Sequence, residues 1–279
     1  MRVAFLGPAG TFTEEAMRAS APAGVREQAH ATVYETVMAV ERGEADAGVV
    51  PIENSLEGSV TATLDTLAIE APSLRIVAEL VHPIRHCLIA RPGVALGALR
   101  RVVSHPQALA QCESFLREQL HGVERASATS TAEAVRTVLA TAEPWAAIGS
   151  RLSADLYEGS LLAEGIEDRA DNLTRFVWLA RGDSSASPAP TAAAAKTSVV
   201  FWGFNDSSPG ALVDVLREFA DRDINLTRIE SRPRRVALGR YMFFVDLEGG
   251  ESEAATASAL AALSKRVETL RVLGSYPAA

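Results

Sequence analysis

Cysteine is nearly absent: the 279 residues include two, Cys87 and Cys112, in separate apolar contexts. Two such residues make no disulfide framework and read as buried thiols of a reducing compartment. Long apolar runs are missing as well. No stretch approaches the roughly 20 residues that a bilayer-spanning helix needs, and the opening Met-Arg-Val-Ala-Phe-Leu-Gly-Pro breaks too early for a secretory signal. Basic excess is missing too, with 27 Lys and Arg against 35 Asp and Glu and a formal charge of −8. That disfavours a nucleic-acid partner, and it requires any anionic ligand to be held locally against the field of the whole chain. His82 and His86 stand four apart, but Pro83 prevents a continuous helix between them and no third metal ligand is near. No opposed pair of catalytic carboxylates and no nucleophile with its histidine can be picked out. The expectation is a soluble, cytoplasmic protein that uses no metal and binds neither membrane nor nucleic acid.

What is present is an alternation of short apolar strands and amphipathic helices over residues 1 to about 181. It implies a mostly parallel sheet, or two small ones. Polar residues gather where the strands end. The first strand runs into Gly7-Pro8-Ala9-Gly10 and a helix start bearing Thr11 and Thr13. A second runs into Pro51-Ile52-Glu53-Asn54-Ser55-Leu56-Glu57-Gly58, followed by a helix over residues 61–69. Another ends in Ser104-His105-Pro106-Gln107 before a helix over 108–120. The fourth cluster, Asn172, Thr174 and Arg175, abuts the apolar run 176–180. Unpaired polar groups cost about 1–3 kcal/mol each to bury, so packing gives no reason for these clusters. Helix N-termini with free N–H groups suit anions. The four strand ends therefore read as an anion site that works by hydrogen bonding and orientation, with Arg175 as its cation.

Residues 182–195, rich in Ser, Pro and Ala, read as a linker. Residues 196–279 follow a βαββαβ order, which is ferredoxin-like. Within it, the Arg232, Arg234 and Arg235 run reads as a solvated loop.

These motifs together resemble the prephenate dehydratase family with a C-terminal ACT domain. The resemblance rests on Gly7-Pro8-x-Gly10-Thr11-Phe12-Thr13, Pro51-Ile52-Glu53-Asn54-Ser55-x-Glu57-Gly58, Ser104-His105-Pro106-Gln107-Ala108-Leu109 and Asn172-x-Thr174-Arg175-Phe176. In the last domain it rests on Gly210-Ala211-Leu212 and Glu230-Ser231-Arg232-Pro233. Each piece is weak, but six in family order are specific; the family often has a second Thr where this chain has Leu173. The chain starts directly on its first strand, so it resembles the form without a chorismate mutase domain.

The resemblance implies an α/β fold: a two-lobed, periplasmic-binding-protein-like catalytic domain over 1–181 and a ferredoxin-like ACT domain over 196–279. The lobes are expected at about 1–78 with 157–181, and at 79–156. The implied activity converts prephenate to phenylpyruvate, water and CO2 without a cofactor; arogenate dehydratase and a non-catalytic carboxylate sensor are the alternatives. The implied catalytic residues are Thr174, donating to the leaving hydroxyl, with Arg175, Ser104 and Asn54. Thr11, Thr13, Ser55, Gln107, Asn172 and Phe176 are the implied substrate contacts. Feedback by L-phenylalanine is implied at Gly210, Ala211, Leu212, Asn225, Leu226 and Ser231, in a homodimer or homotetramer joined through ACT domains.

Overall fold

The computed structural model describes residues 1–182, 195–204 and 208–279. Most of the expected linker, residues 183–194, lies outside the described residues.

The chain opens with β1 (Arg2–Leu6), α1 (Phe12–Ser20), β2 (Arg26–His30), α2 (Val33–Glu41) and β3 (Ala47–Asn54). A short β4 (Gly58–Ser59), α3 (Thr61–Asp65) with a π-helical turn at Thr66–Glu70, and β5 (Leu74–Pro83) follow. The chain then crosses into β6 (Cys87–Ala90), β7 (Arg101–Ser104), α4 (Pro106–Gln111), α5 (Glu113–Gln119) and β8 (Glu124–Ser127). It continues as α6 (Thr131–Ala140), β9 (Trp145–Gly149), α7 (Arg151–Leu156) and β10 (Ser160–Glu164), and returns as β11 (Leu173–Arg181). The last part is β12 (Ala195–Trp202), α8 (Ala211–Ala220), β13 (Leu226–Pro233), β14 (Tyr241–Glu248), α9 (Ala254–Leu263) and β15 (Thr269–Pro277).

Three sheets result. The first has the order β2-β1-β3-β11-β5, with β4 beside β3; the second is β10-β6-β9-β7-β8 and the third β13-β14-β12-β15. The first two are the sheets of the two lobes, and neither is purely parallel. β11 runs antiparallel to both β3 and β5, and β6 antiparallel to β9 and β10, because the strands next to the crossings turn back along their neighbours. β5 stays in the first sheet as far as Pro83 and β10 belongs to the second. The crossings are therefore at residues 84–86 and 165–172, several residues later than the sequence expectation on both sides.

Helix boundaries follow their caps. Thr11, Thr32 and Ser130 accept from the backbone N–H of Glu14, Glu35 and Glu133, and each of these helices has acidic residues in its first turn. The expected helix over 108–120 is two short helices, α4 and α5, broken at Cys112. β2 escapes sequence reading because Arg-Glu-Gln-Ala-His is polar on an exposed sheet edge, with no apolar alternation to mark it.

The first lobe and the βαββαβ domain share a core. Val200, Met242, Phe244, Leu273 and Tyr276, on the sheet face away from α8 and α9, pack with Leu67, Leu74, Ile76, Val177 and Leu179. Gly274 is required there, since a Cβ would collide with the backbone of Ile76. The Arg271 guanidinium donates to the carbonyls of Leu67 and Ala71, satisfying acceptors at the end of the π-helical turn. Arg232 is not solvated: it holds Asp65 of the first lobe with two bonds, at 3.1 and 2.9 Å, and Arg235 reaches the same carboxylate at 2.8 Å. The domains meet through a hydrophobic face bordered by ion pairs.

Candidate active site

A cleft of about 280 Å³ opens between the lobes. The first lobe contributes Phe12 and Thr13 from the start of α1, Asn54 from the end of β3, and Thr174 and Phe176 from β11. The second lobe contributes Gln107 and Gln111 of α4 and the start of α6, with Thr129, Ser130 and Thr131. Ile84, His86 and Asn172 come from the two crossings. The strand ends singled out in the sequence thus meet at one place, as ligand sites in α/β sheets do.

At its centre is a chain of amides. Asn54 Nδ2 donates to Thr174 Oγ1 and to Asn172 Oδ1, each at 2.8 Å. Asn172 Nδ2 donates to Gln111 Oε1 at 3.1 Å, and His86 Nε2 lies 3.0 Å from the same oxygen. Thr174 opposes Asn54 directly in the β3–β11 register, and a bulge follows at Arg175/Phe176. Asn172 and Thr174 are buried, at 1% and 7% exposure, so their partners decide whether burial is tolerable. Thr174 Oγ1 accepts from Asn54 and has no acceptor for its own proton among the described residues, which leaves that proton free for a ligand.

Not every expected residue reaches the cleft. Arg175 faces the other way, because neighbours on a strand point to opposite faces and Thr174 and Phe176 take the cleft side. Its guanidinium meets Asp246 of β14 at 2.7 Å and Glu79 of β5 at 3.1 Å, beneath the βαββαβ domain. Burial is the largest influence and opposes its charge, but Asp246, Tyr276 and Glu79 together outweigh it and raise the pKa above the ordinary arginine value. Lys196 joins Glu79 at 2.5 Å, and Ser198 donates to Asp246 at 2.6 Å. Ser104 is fully buried, and its hydroxyl donates to Ile148 O at 2.7 Å, tying β7 to β9. Thr11 caps α1 and donates to Leu6 O at 2.9 Å. Ser55 lies outside the cleft lining: it accepts from Leu173 N at 2.9 Å and donates to Asp171 O at 3.1 Å, pinning the return crossing to the loop after β3. Asn54, Thr13, Gln107, Asn172, Thr174 and Phe176 do line the cleft.

His86, Gln111 and the Thr129–Thr131 turn are cleft residues that sequence reading missed. In the sequence His86 offers only a metal-like spacing to His82, and Gln111 lies four residues beyond Gln107 on the same helix, a spacing that points to it. Among the described residues no lysine or arginine lines the cleft. An anion there would meet hydroxyls, amides and the N-termini of α1 and α6. Nor is there a metal set: among the described residues no three His, Cys, Asp or Glu side chains cluster as ligands would. Both cysteines are free and buried; burial raises the thiol pKa of each, that of Cys87 to about 11, so neither is a ready nucleophile.

In the βαββαβ domain, Gly210, Ala211 and Leu212 at the start of α8 line a surface cavity of about 380 Å³ with Val213, Tyr241 and Phe243. Gly210 takes φ 85°, which suits glycine, to open α8. The other three expected effector residues lie apart from that cavity. Asn225 Nδ2 bonds Glu248 Oε1 at 3.1 Å, Leu226 packs into the domain core, and Ser231 is exposed on the edge strand β13.

Fold and site define a two-lobed α/β protein with a hydrogen-bonding interlobe cleft and a ferredoxin-like domain fastened to one lobe. The prephenate dehydratase family model matches residues 3–184 and the ACT domain model residues 205–265. A prephenate dehydratase of Amycolatopsis methanolica is 42% identical over 275 residues, covering 99% of this chain and 88% of the relative. A solved prephenate dehydratase of Arthrobacter aurescens, in complex with L-Phe, has a TM-score of 0.89 at 41% identity and covers 100% of this chain and 92% of its own. A structure described as a novel type of quorum-quenching acylase has a TM-score of 0.86 at 32% identity, covering 100% of this chain and 98% of its own. This chain belongs to the prephenate dehydratase family and carries an ACT domain.

Proposed function

We propose that the chain is a prephenate dehydratase, eliminating water and CO2 from prephenate to give phenylpyruvate in phenylalanine biosynthesis, with feedback by phenylalanine through the ACT domain. The observation that carries the catalytic reading is the Asn54 N–H donated to Thr174 Oγ1 at 2.8 Å. A threonine hydroxyl is a weak proton donor by itself. Donation into its oxygen polarises it and aims its own proton into the cleft, at the hydroxyl that departs as the ring becomes aromatic. As the ring carboxylate leaves as CO2, the bonding pair it leaves behind completes the aromatic ring and the C–O bonding pair departs with the hydroxyl; the Thr174 proton turns that hydroxide into water, and solvent returns a proton to Thr174. Thr13, Gln107 and the Thr129–Thr131 turn hold the substrate oxygens and fix its orientation. Phe176 and Phe12 supply apolar walls for the ring.

Acyl transfer, the activity named for the acylase neighbour, calls for an activated nucleophile. Among the described residues no cleft hydroxyl is hydrogen-bonded to a histidine, which favours the dehydratase reading.

The effector reading assigns L-phenylalanine to the cavity at Gly210–Leu212, where the start of α8 suits a carboxylate. The ACT edge supports assembly into a homo-oligomer. Among the described residues β13 has no outer strand partner, and Ile229, Val236, Leu238, Tyr241 and Val213 are exposed large hydrophobics. We place the enzyme in the cytoplasm, where its biosynthetic substrate is made.

The test is phenylpyruvate release from prephenate at neutral pH, with a no-enzyme control and arogenate measured alongside. Release above the control, slowed by added phenylalanine, is the expected result. Turnover of arogenate alone, or of neither, overturns the reading.

A further inference from the structure

The amide chain has one possible orientation, and it follows from the backbone outward. Leu56 N–H and Glu57 N–H both donate to one side-chain atom of Asn54 at 3.0 Å, so that atom is the oxygen. Asn54 Nδ2 must then meet an oxygen on Asn172, which turns Asn172 Nδ2 toward Gln111. The Gln111 atom it meets is therefore Oε1, an acceptor. His86 Nε2, 3.0 Å from that acceptor, has to carry a hydrogen. His86 is 2% exposed, Phe12 packs edge-on at 5.4 Å, and Nδ1 is buried with no partner among the described residues. A protonated ring would bury an unpaired N–H at Nδ1, so the neutral Nε2–H form is the one that fits. The charged group facing it is Glu167, which accepts from the His86 backbone N–H at 2.8 Å and is paired with Arg85 at 2.8 Å. Burial lowers the imidazole pKa, against smaller opposing effects of Gln111 and Glu167.

We propose that His86 is a positioning residue for the reaction, its Nε2–H fixing Gln111 so that Asn172 and Asn54 keep a donated N–H on Thr174. The ring lies at one crossing, Gln111 on the second lobe and Asn172 at the other crossing. Catalytic aim at Thr174 is thereby tied to the relative placement of the lobes. The inference rests on the dehydratase reading for its kinetic consequence, though not for the tautomer.

Two measurements on the full chain test it. In 15N-histidine-labelled protein, with the His86 signal assigned by its loss in His86→Gln, the ring is expected to stay neutral and Nε2-protonated at pH 6.5. An ordinary histidine is about half protonated there. An Nδ1–H tautomer, or titration near 6.5, overturns the proposal. In kinetics, His86→Leu is expected to lower kcat by about tenfold or more while KM stays within about twofold, the signature of misaimed rather than missing contacts. His86→Gln can place an amide N–H near the same oxygen and should recover most of the loss, with a pH–rate profile of unchanged shape. Wild-type kcat in His86→Leu, a Gln variant as poor as Leu, or a vanished limb of the pH profile each overturns it. Should His86→Leu fail to fold, Gln111→Met carries the kinetic test, since it cuts the same chain and should lower kcat likewise; an unchanged kcat overturns the proposal. Absence of turnover in the wild type refutes the dehydratase reading alone, and the tautomer still decides the orientation of the relay.

Discussion

Thr174 and Ser104 show how differently two buried hydroxyls can be employed. Thr174 receives a hydrogen bond and keeps its proton; Ser104 gives its proton to Ile148 O at 2.7 Å. Thr174→Ala is accordingly expected to lower kcat by roughly 10²–10³ with a much smaller effect on KM, read by steady-state phenylpyruvate formation. An unchanged kcat removes Thr174 from the chemistry. Ser104→Ala should cost about 1 kcal/mol of stability in denaturant unfolding and leave KM near wild type, because it removes one buried hydrogen bond remote from the ligand. Both residues stood out in the sequence as polar groups at strand ends. Which of them had a free proton was not legible there, since that depends on partners 44 and 120 residues away in the chain.

At the scale of the element, β11 explains most of what the sequence suggested and one thing it did not. Its alternation puts Thr174 and Phe176 on the cleft face and Arg175 on the face covered by the ACT domain. The sequence showed a cation among the cleft motifs, and only the strand's pairing between β3 and β5 turned it away. Arg175, with its side chain 11% exposed between Asp246 and Glu79, is a clamp between the catalytic strand and the regulatory sheet. Arg175→Met leaves the buried Asp246 carboxylate without its cation and Glu79 with Lys196 alone. It is expected to destabilise the protein by about 3–5 kcal/mol in denaturant melts and to weaken phenylalanine inhibition, with KM for prephenate little changed. Normal stability with a large rise in KM would return the guanidinium to the substrate.

At the scale of the molecule, the ACT sheet completes the core of the first lobe instead of trailing from it. Removing residues 196–279 would leave Leu67, Leu74 and Ile76 without Val200, Met242 and Leu273, and Arg175 without Asp246. The remaining fragment is expected to melt at a distinctly lower temperature than the full chain and to lose turnover along with inhibition; full activity at the wild-type melting temperature would show that the two parts are energetically independent.

The sequence by itself determined most of the elements, though not the polar edge strand β2 or the break at Cys112, and it determined that polar groups sit at four strand ends and that a βαββαβ unit follows. Strand periodicity, caps and glycine turns are local and can be read within a few residues. Tertiary structure alone decided that β11 runs antiparallel between β3 and β5, and hence that Thr174 meets Asn54 while Arg175 meets Asp246. It alone decided that His86 anchors an amide chain. These outcomes depend on pairing between segments a hundred residues apart and on which face of a sheet another domain covers, and a local pattern carries no record of either.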